Sequence, residues 1–309
     1  MSVSSIALVV LYFGELPNYF PITLATIARN PTIDWLLVRE SDVAIPLPPN
    51  LKILRMPLSE LTDQFCTHVG SFVKIPSPHA LCSLRPALGL VLADQLKGYD
   101  YWGHTDLDLL YGNLRHYLPE VILGSHDRIY CRGHLSLYRN ETKVNHAFML
   151  PTPGTQGYED VFRDPAGKQF DEWQGIHRIM RYHGFNQYHR EVIADIKPPS
   201  RLRITRFETE CPPNHPCQIF YWHQGRTYRA YLHPEGGIMD EEVAYIHFQK
   251  RVFPAPDPEL HQADGFGVGP QGFFRYDREP LTPAEFRQLN SASFKPVRTI
   301  LGEIINHKF

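Results

Sequence analysis

No apolar run in the 309 residues is long enough to cross a bilayer. The first, Ile6–Tyr12, stops by Phe13, and no basic stretch precedes it. The opening MSVSSIALVVLYFGEL therefore reads as neither a signal peptide nor a transmembrane span, and a cytoplasmic setting is the expectation. An excess of one charge is lacking too. Lys and Arg total 31 against 33 Asp and Glu, a formal net charge of −2, which argues against a nucleic-acid partner met through a basic face. Cysteine is scarce and odd in number, with five residues at 66, 82, 131, 211 and 217. That scatter fits a reducing compartment better than a disulfide framework. Only Cys211 and Cys217, with His215 between them, form a cluster. Its spacing is not a standard zinc pattern and no fourth ligand is evident, so a Pro-stiffened surface loop is the first reading and a structural metal the lesser one. Internal repeats and low-complexity tracts are also missing.

What is present fits one large α/β core or two small ones. Hydrophobic residues at 43% and charged residues at 21% are ordinary for a globular chain. Aromatics reach 12%, with 16 Tyr and 16 His. That suits a carbohydrate-handling surface and a thick aromatic core equally well.

The most informative stretch is Gly98–Gly112, GYDYWGHTDLDLLYG. An apolar, aromatic approach leads into Asp106-Leu107-Asp108. In an extended segment, alternation puts both carboxylates on one side. Two hard oxygen donors at a strand end can hold Mg²⁺ or Mn²⁺, and an ion held there can neutralise a diphosphate leaving group. The competing reading is two Asp that merely solvate a turn.

Around that motif the chain reads as α/β. Ile6–Tyr12, Ile33–Val38 and Leu51–Arg55 are buried-strand patterns, with a helix expected over Asn18–Ala28. This is the opening of a doubly wound domain, whose ligands gather at the carboxyl ends of the strands, here Tyr12-Phe13-Gly14 and Arg39–Asp42. Leu58–Val69 and Leu81–Leu96 are expected helices, the latter entered through Arg85-Pro86, which makes Arg85 a candidate anion contact. Arg128–Cys131 and His134–Asn140 read as strands, the second with His134, Ser136 and Tyr138 on an outward polar face. Phe170–Tyr182 has helical spacing, with Asp171 and Glu172 in its first turn.

The later chain is more β-rich. Val192–Ile196, Leu202–Phe207 and Glu242–Gln249 are expected strands, and Gln218–His223 with Thr227–Leu232 a hairpin about Gln224-Gly225-Arg226. Pro254–Gly272 reads as a loop, and Thr282-Pro283-Ala284-Glu285 as a capped helix start. The division expected is a catalytic domain over 1–253, with a C-terminal appendage, 254–309, packed on it.

Several of these stretches together resemble a poorly characterised bacterial group of GT-A-like glycosyltransferases, often encoded with surface-polysaccharide enzymes. They are Tyr12-Phe13-Gly14 with Leu16–Phe20, Pro31–Trp35, Gly98–Gly103, Asp106–Asp108, Arg132–His134 with Leu137–Asn140, Asp171–Trp173, Gln218–Trp222 and Ile246–Arg251. One departure is plain: where the pattern has an acidic residue and, two places on, Lys, this chain has Ser83 and Arg85.

The resemblance implies a GT-A-like mixed sheet flanked by helices, with a β-rich C-terminal part. It implies a nucleotide-sugar donor bound through Tyr12, Phe13, Gly14, Arg85, Asp106 and Lys250. The metal, Mn²⁺ or Mg²⁺, would be held by Asp106, Asp108 and His247, and an imidazole in the set favours Mn²⁺. Lys250, or Arg251, would touch the diphosphate. Asp171 and Glu172 would serve the acceptor side, one as general base if configuration inverts, or as support for an oxocarbenium-like centre if it is retained. His134, Tyr138, Trp173 and Trp222 would contact the acceptor, a glycan or a lipid-linked sugar met by peripheral contact with a membrane. The alternatives are a non-catalytic nucleotide- or glycan-binding module on the same fold and a metal-dependent phosphohydrolase.

Overall fold

The computed structural model describes residues 3–190, 192–197, 202–205, 213–249, 253–269, 272–276 and 281–290. Their strands, in chain order, begin with β1 (Ile6–Leu11), β2 (Ile33–Arg39), β3 (Leu51–Arg55), β4 (Tyr101–Thr105) and β5 (Leu109–Tyr111). Next come β6 (Arg128–Arg132), β7 (Leu135–Arg139), β8 (Gln187–Tyr188), β9 (Ala194–Asp195) and β10 (Gln218–His223). The last are β11 (Arg226–Leu232), β12 (Ile238–Val243), β13 (Tyr245–His247), β14 (Gly265–Gly269) and β15 (Gly272–Arg275). The chain divides into two compact units. One is Met1–Leu16, Asn30–Leu107 and Leu118–Arg190; the other is Pro17–Arg29, Asp108–Tyr117 and Glu191–Phe309. The division runs through the D-x-D, between Leu107 and Asp108. The described residues between 253 and 290, read from the sequence as an appendage to 1–253, fall in the second unit together with β10–β13.

The first unit is an α/β layer structure around a seven-stranded mixed sheet in the order β3-β2-β1-β4-β7-β6-β8. β3, β2, β1 and β4 run parallel, and β7 then turns antiparallel to β4. Strands β1 and β4 are near-continuous apolar or small runs because both faces are covered. From β1 the chain winds outward to β2 and β3, then returns to place β4 on the other side of β1. The strand order therefore reverses at the carboxyl ends of β1 and β4. It puts Tyr12–Gly14 and Asp106 at the same end of adjacent strands. Helix Leu58–His68 packs Leu61 and Phe65 onto this core.

The second unit contains a five-stranded antiparallel sheet, β12-β11-β10-β14-β15, and a three-stranded sheet, β5-β13-β9. Helix Phe20–Ala28 belongs to it, with Ile22 in the same core as Leu110, Ile246 and Phe248. The hairpin between β10 and β11 turns on Gln224 and Gly225, both left-handed (φ 46° and 85°), as a two-residue turn of matching twist requires. The capping box at 282 forms as expected: Thr282 N–H donates to Glu285 Oε2 (2.8 Å) and Glu285 N–H to Thr282 Oγ1 (3.3 Å).

Five local expectations change. The helix read over Leu81–Leu96 is broken into Leu81–Leu84, a 3₁₀ turn Arg85–Ala87 and Leu88–Val91. Pro86 lacks the N–H that a continuous helix needs, and its ring crowds the preceding turn. The polar face of β7 is not outward: Ser136 and Tyr138 are fully buried, Tyr138 stacked on Trp102 and Ser136 bonded to Arg128. Asp171 and Glu172 precede their helix instead of opening it. The helical segment begins as a π turn, Trp173–His177, and continues as Arg178–Tyr182. The strand read over Glu242–Gln249 is two strands in two sheets, β12 and β13. Finally, the Pro- and Gly-rich run 254–272 contains β14, paired with β10 and β15, where a Cβ at Gly267 would run into the Phe274 ring. Among the described residues no helix is long and apolar enough to cross a membrane.

Candidate active site

In the first unit, β4 ends at Thr105 and delivers Asp106, whose N–H donates to the carbonyl of His134 (3.2 Å). The guanidinium of Arg85 closes on the Asp106 carboxylate, on the carbonyl of Gly133 and on Asp171 Oδ2, the last at 3.3 Å. Arg85 thus sits among acids. Burial works against its charge, but the carboxylates of Asp106 and Asp171 outweigh that and hold its proton more tightly than usual. A second buried guanidinium, Arg128 at the start of β6, donates to the carbonyl of Asp171 (2.9 Å) and to Ser136 Oγ (3.2 Å). Asp171 is therefore fixed by its backbone and its side chain at once.

Asp171 is only 2% exposed. Burial is the largest influence on its carboxyl, and Glu172 and Asp106 add to it against the opposing charge of Arg85. The result is a carboxyl pushed up to about 7. That value suits a group that must both hold and release a proton near neutrality. Gly133 leaves room beside it: a Cβ there would lie 2.7 Å from Glu172 Oε1 and 2.9 Å from Asp171 Oδ2. His104, wholly buried on β4, is held well below the usual imidazole range by burial and then by Arg85 and Arg128, so it is neutral. At the end of β1, Gly14 is left-handed (φ 105°) and its carbonyl accepts from Arg39 Nη2 (3.2 Å). Tyr12 and Phe13 beside it are half-buried.

In the second unit, His247 ends β13 and pairs with the start of β5. Its Nδ1 meets Asp195 Oδ1 at 2.7 Å, and its Nε2 lies 3.5 Å from Asp108 Oδ1. Gln249 Nε2 also donates to Asp195, while Phe248 N–H donates to the carbonyl of Asp108 (3.1 Å). Burial disfavours charge on His247, but the two carboxylates outweigh it and raise the imidazole to about 10. A carboxylate and an imidazole nitrogen face each other, and the second nitrogen is oriented by a further carboxylate; these groups could hold a divalent cation once the His247 proton is displaced. Asp108 and His247, some 140 residues apart, are thus brought together. The chain carries Asp106 two positions before Asp108.

Other expected residues are placed differently. Tyr138 stacks on Trp102 (centroids 4.5 Å) and Trp222 on Phe266 (4.8 Å). Both are core rings, and neither exposes a face to solvent. His134 is buried too, whereas Trp173 is half-buried under Arg132, 5.2 Å above its ring. Lys250 and Arg251, like Cys211, lie outside the described residues. Sequence reading missed Asp195, Arg128 and Gly133. The available signal for the first two was a charged residue embedded in an apolar strand, as in VIADI and RIYCR.

No curated protein matches the sequence. Among solved structures, the chain is similar to mouse xyloside xylosyltransferase 1 in its apo form, at 12% identity over 63% of this chain and 89% of that one, with a TM-score of 0.40. It is similar to the galactosyltransferase LgtC in complex with donor and acceptor sugar analogs, at 10% identity over 94% of this chain and 98% of that one, again with a TM-score of 0.40. A third likeness is to the apo-form glycosyltransferase GlyE of Streptococcus pneumoniae, at 9% identity over 63% of this chain and 47% of that one, with a TM-score of 0.36. A protein-family model matches residues 8–277, nearly the whole described length, and on that match the chain belongs to the family of unknown function DUF6625.

Proposed function

We propose that the chain is a metal-dependent glycosyltransferase of GT-A type. It would move a sugar from a nucleotide-sugar donor to a glycan or a lipid-linked sugar, in the cytoplasm and for surface-polysaccharide synthesis. The observation that carries this reading is the Asp108–His247–Asp195 relay. It turns an imidazole nitrogen toward the second carboxylate of the D-x-D and leaves the opposite nitrogen committed to Asp195. Asp106, Asp108 and His247 would hold the ion, and the nitrogen donor favours Mn²⁺ over Mg²⁺. When bound, the ion would neutralise charge building on the diphosphate leaving group.

The remaining roles belong to the chain's own residues. Tyr12, Phe13 and Gly14 would meet the nucleotide, following β1 at the reversal of strand order beside β4. Lys250 supplies positive charge for the diphosphate. Arg85 is engaged with Asp106 and Asp171, so its work is to hold these acids in register. Asp171 and Glu172 serve the acceptor, and the carboxyl of Asp171, near 7, is matched to taking a hydroxyl proton at neutral pH.

The test is release of nucleoside diphosphate from a panel of donors with Mn²⁺, for the wild-type chain and Asp108→Ala. Turnover in the first and none in the second is expected. Turnover undiminished in Asp108→Ala refutes the metal assignment, and donor-induced thermal shift without any release by the wild-type chain identifies a binding module instead.

A further inference from the structure

Three donors that the transferase reading does not use meet elsewhere in the first unit. Cys131 lies on β6, His177 closes the π turn Trp173–His177, and His189 directly follows β8. One ligand atom from each lies within 4.8 Å of the other two. Cys131 Sγ and His177 Nδ1 are 3.2 Å apart. Cys131 and His177 are buried and His189 is exposed. We propose that Cys131, His177 and His189 form a Zn²⁺ site with three protein ligands and a fourth position open to solvent.

The donor chemistry selects the ion. One thiolate with two imidazoles is a borderline-soft set that suits Zn²⁺ and rejects Mg²⁺ and Ca²⁺. Tetrahedral Zn²⁺ with Zn–S of about 2.3 Å and Zn–N of about 2.0–2.1 Å keeps its ligand atoms roughly 3.5 Å apart. The sulfur and Nδ1 are a few tenths of an ångström inside that separation, and the remaining adjustment falls on the exposed ring of His189.

Two departures from regular backbone converge on this cluster. Tyr130 is left-handed at φ 62°, rare for a bulky residue, and the β6–β7 register shifts between Ile129 and Arg132. Such a bulge re-aims side chains, here that of Cys131. The π turn departs from helical geometry at Gly175 (φ −108°, ψ −111°), where a Cβ would lie 2.0 Å from the carbonyl oxygen of Phe170. His177 is then locked from two sides. Its carbonyl accepts from Gln187 Nε2 (3.1 Å), and its ring packs on Trp173 (centroids 4.0 Å). Binding takes Cys131 as its thiolate, so it would release protons and tighten as pH rises. The bound ion would tie the bulge of β6 to the turn that follows Asp171 and Glu172.

Co²⁺ titrated into the chelator-stripped full chain tests this, as a coloured stand-in for Zn²⁺. A near-ultraviolet thiolate-to-cobalt band saturating at about one equivalent, and discharged by Zn²⁺, is expected. The band should vanish in Cys131→Ser and persist in Cys217→Ser. His189→Ala removes an exposed ring, so it keeps the test decisive if Cys131→Ser fails to fold; its Co²⁺ affinity should fall at least about tenfold. No band in the wild-type chain, a band that survives Cys131→Ser, or an affinity unmoved by His189→Ala would each overturn the assignment.

Discussion

Replacing Arg85 by Met is the sharpest probe of the acidic cluster. The change keeps an apolar stem and deletes the guanidinium that faces Asp106, Asp171 and the Gly133 carbonyl. The Asp106 side chain is 29% exposed and can recruit water; that of Asp171 is 2% exposed and cannot. Breaking a buried pair from one side costs about 3–5 kcal/mol when the orphan must stay charged. Asp171 has an escape, because burial already places its carboxyl at about 7 and loss of Arg85 raises it further. Near pH 8, protonation one unit above that value costs about 1.4 kcal/mol. The unmade hydrogen bonds to Asp171 and Gly133 add about 1–3 kcal/mol. The expected loss is therefore roughly 2–4 kcal/mol near pH 8, falling by about 1.4 kcal/mol near pH 5, where the proton is already bound. Urea unfolding followed by tryptophan fluorescence measures it, and Asp171→Asn in the same background should recover the pH-dependent part. A loss below about 1 kcal/mol near pH 8, or one independent of pH, refutes the reasoning.

The other expectations are more local. Asp195→Asn should weaken Mn²⁺ binding about 10–100-fold by calorimetry while the chain stays folded, since only the orientation of His247 is lost; unchanged affinity would remove Asp195 from the site. Gly133→Ala should cost about 1–3 kcal/mol in urea, because its Cβ would press on both the Glu172 and Asp171 carboxylates. Gln224→Asn should raise stability by about 0.5 kcal/mol, Asn tolerating the left-handed turn position better. Asp171 also sets a pH trend. Its folded value of about 7 lies above the ordinary 3.8, so the folded state holds the extra proton between them. The contribution of Asp171 to stability should then fall as pH rises from about 4 to 7 and stay flat above, and Asp171→Asn should erase that slope in urea midpoints.

Much of the frame was legible in order of residues alone. β1, β2, β3 and the β10–β11 hairpin follow from apolar runs, breakers and turn chemistry, all of which act over a few residues. So does the capping box at Thr282. The helix over 81–96 failed because Pro86 lies inside the pattern, not at its start, and periodicity does not register a missing N–H. β14 was read as a loop because its glycines look like turn residues until β10 and β15 supply partners on both sides. Tyr138 and Trp222 looked like sugar platforms because a sequence shows that a ring is aromatic and not which neighbour covers it.

The site divides in the same way. Two carboxylates spaced by one residue could be singled out by residue type and spacing, and His247 through the family resemblance. That Asp108 and His247 face each other, that Asp195 orients the imidazole, and that Arg85 is spent on Asp106 and Asp171 were decided by the sheets. Strand pairing between β5, β13 and β9 joins segments more than fifty residues apart, and no local pattern encodes which strands will meet. The sequence by itself determined which groups could do chemistry. The tertiary structure decided which of them are buried together, and burial is what turns Asp171 from an ordinary acid into one poised near neutrality.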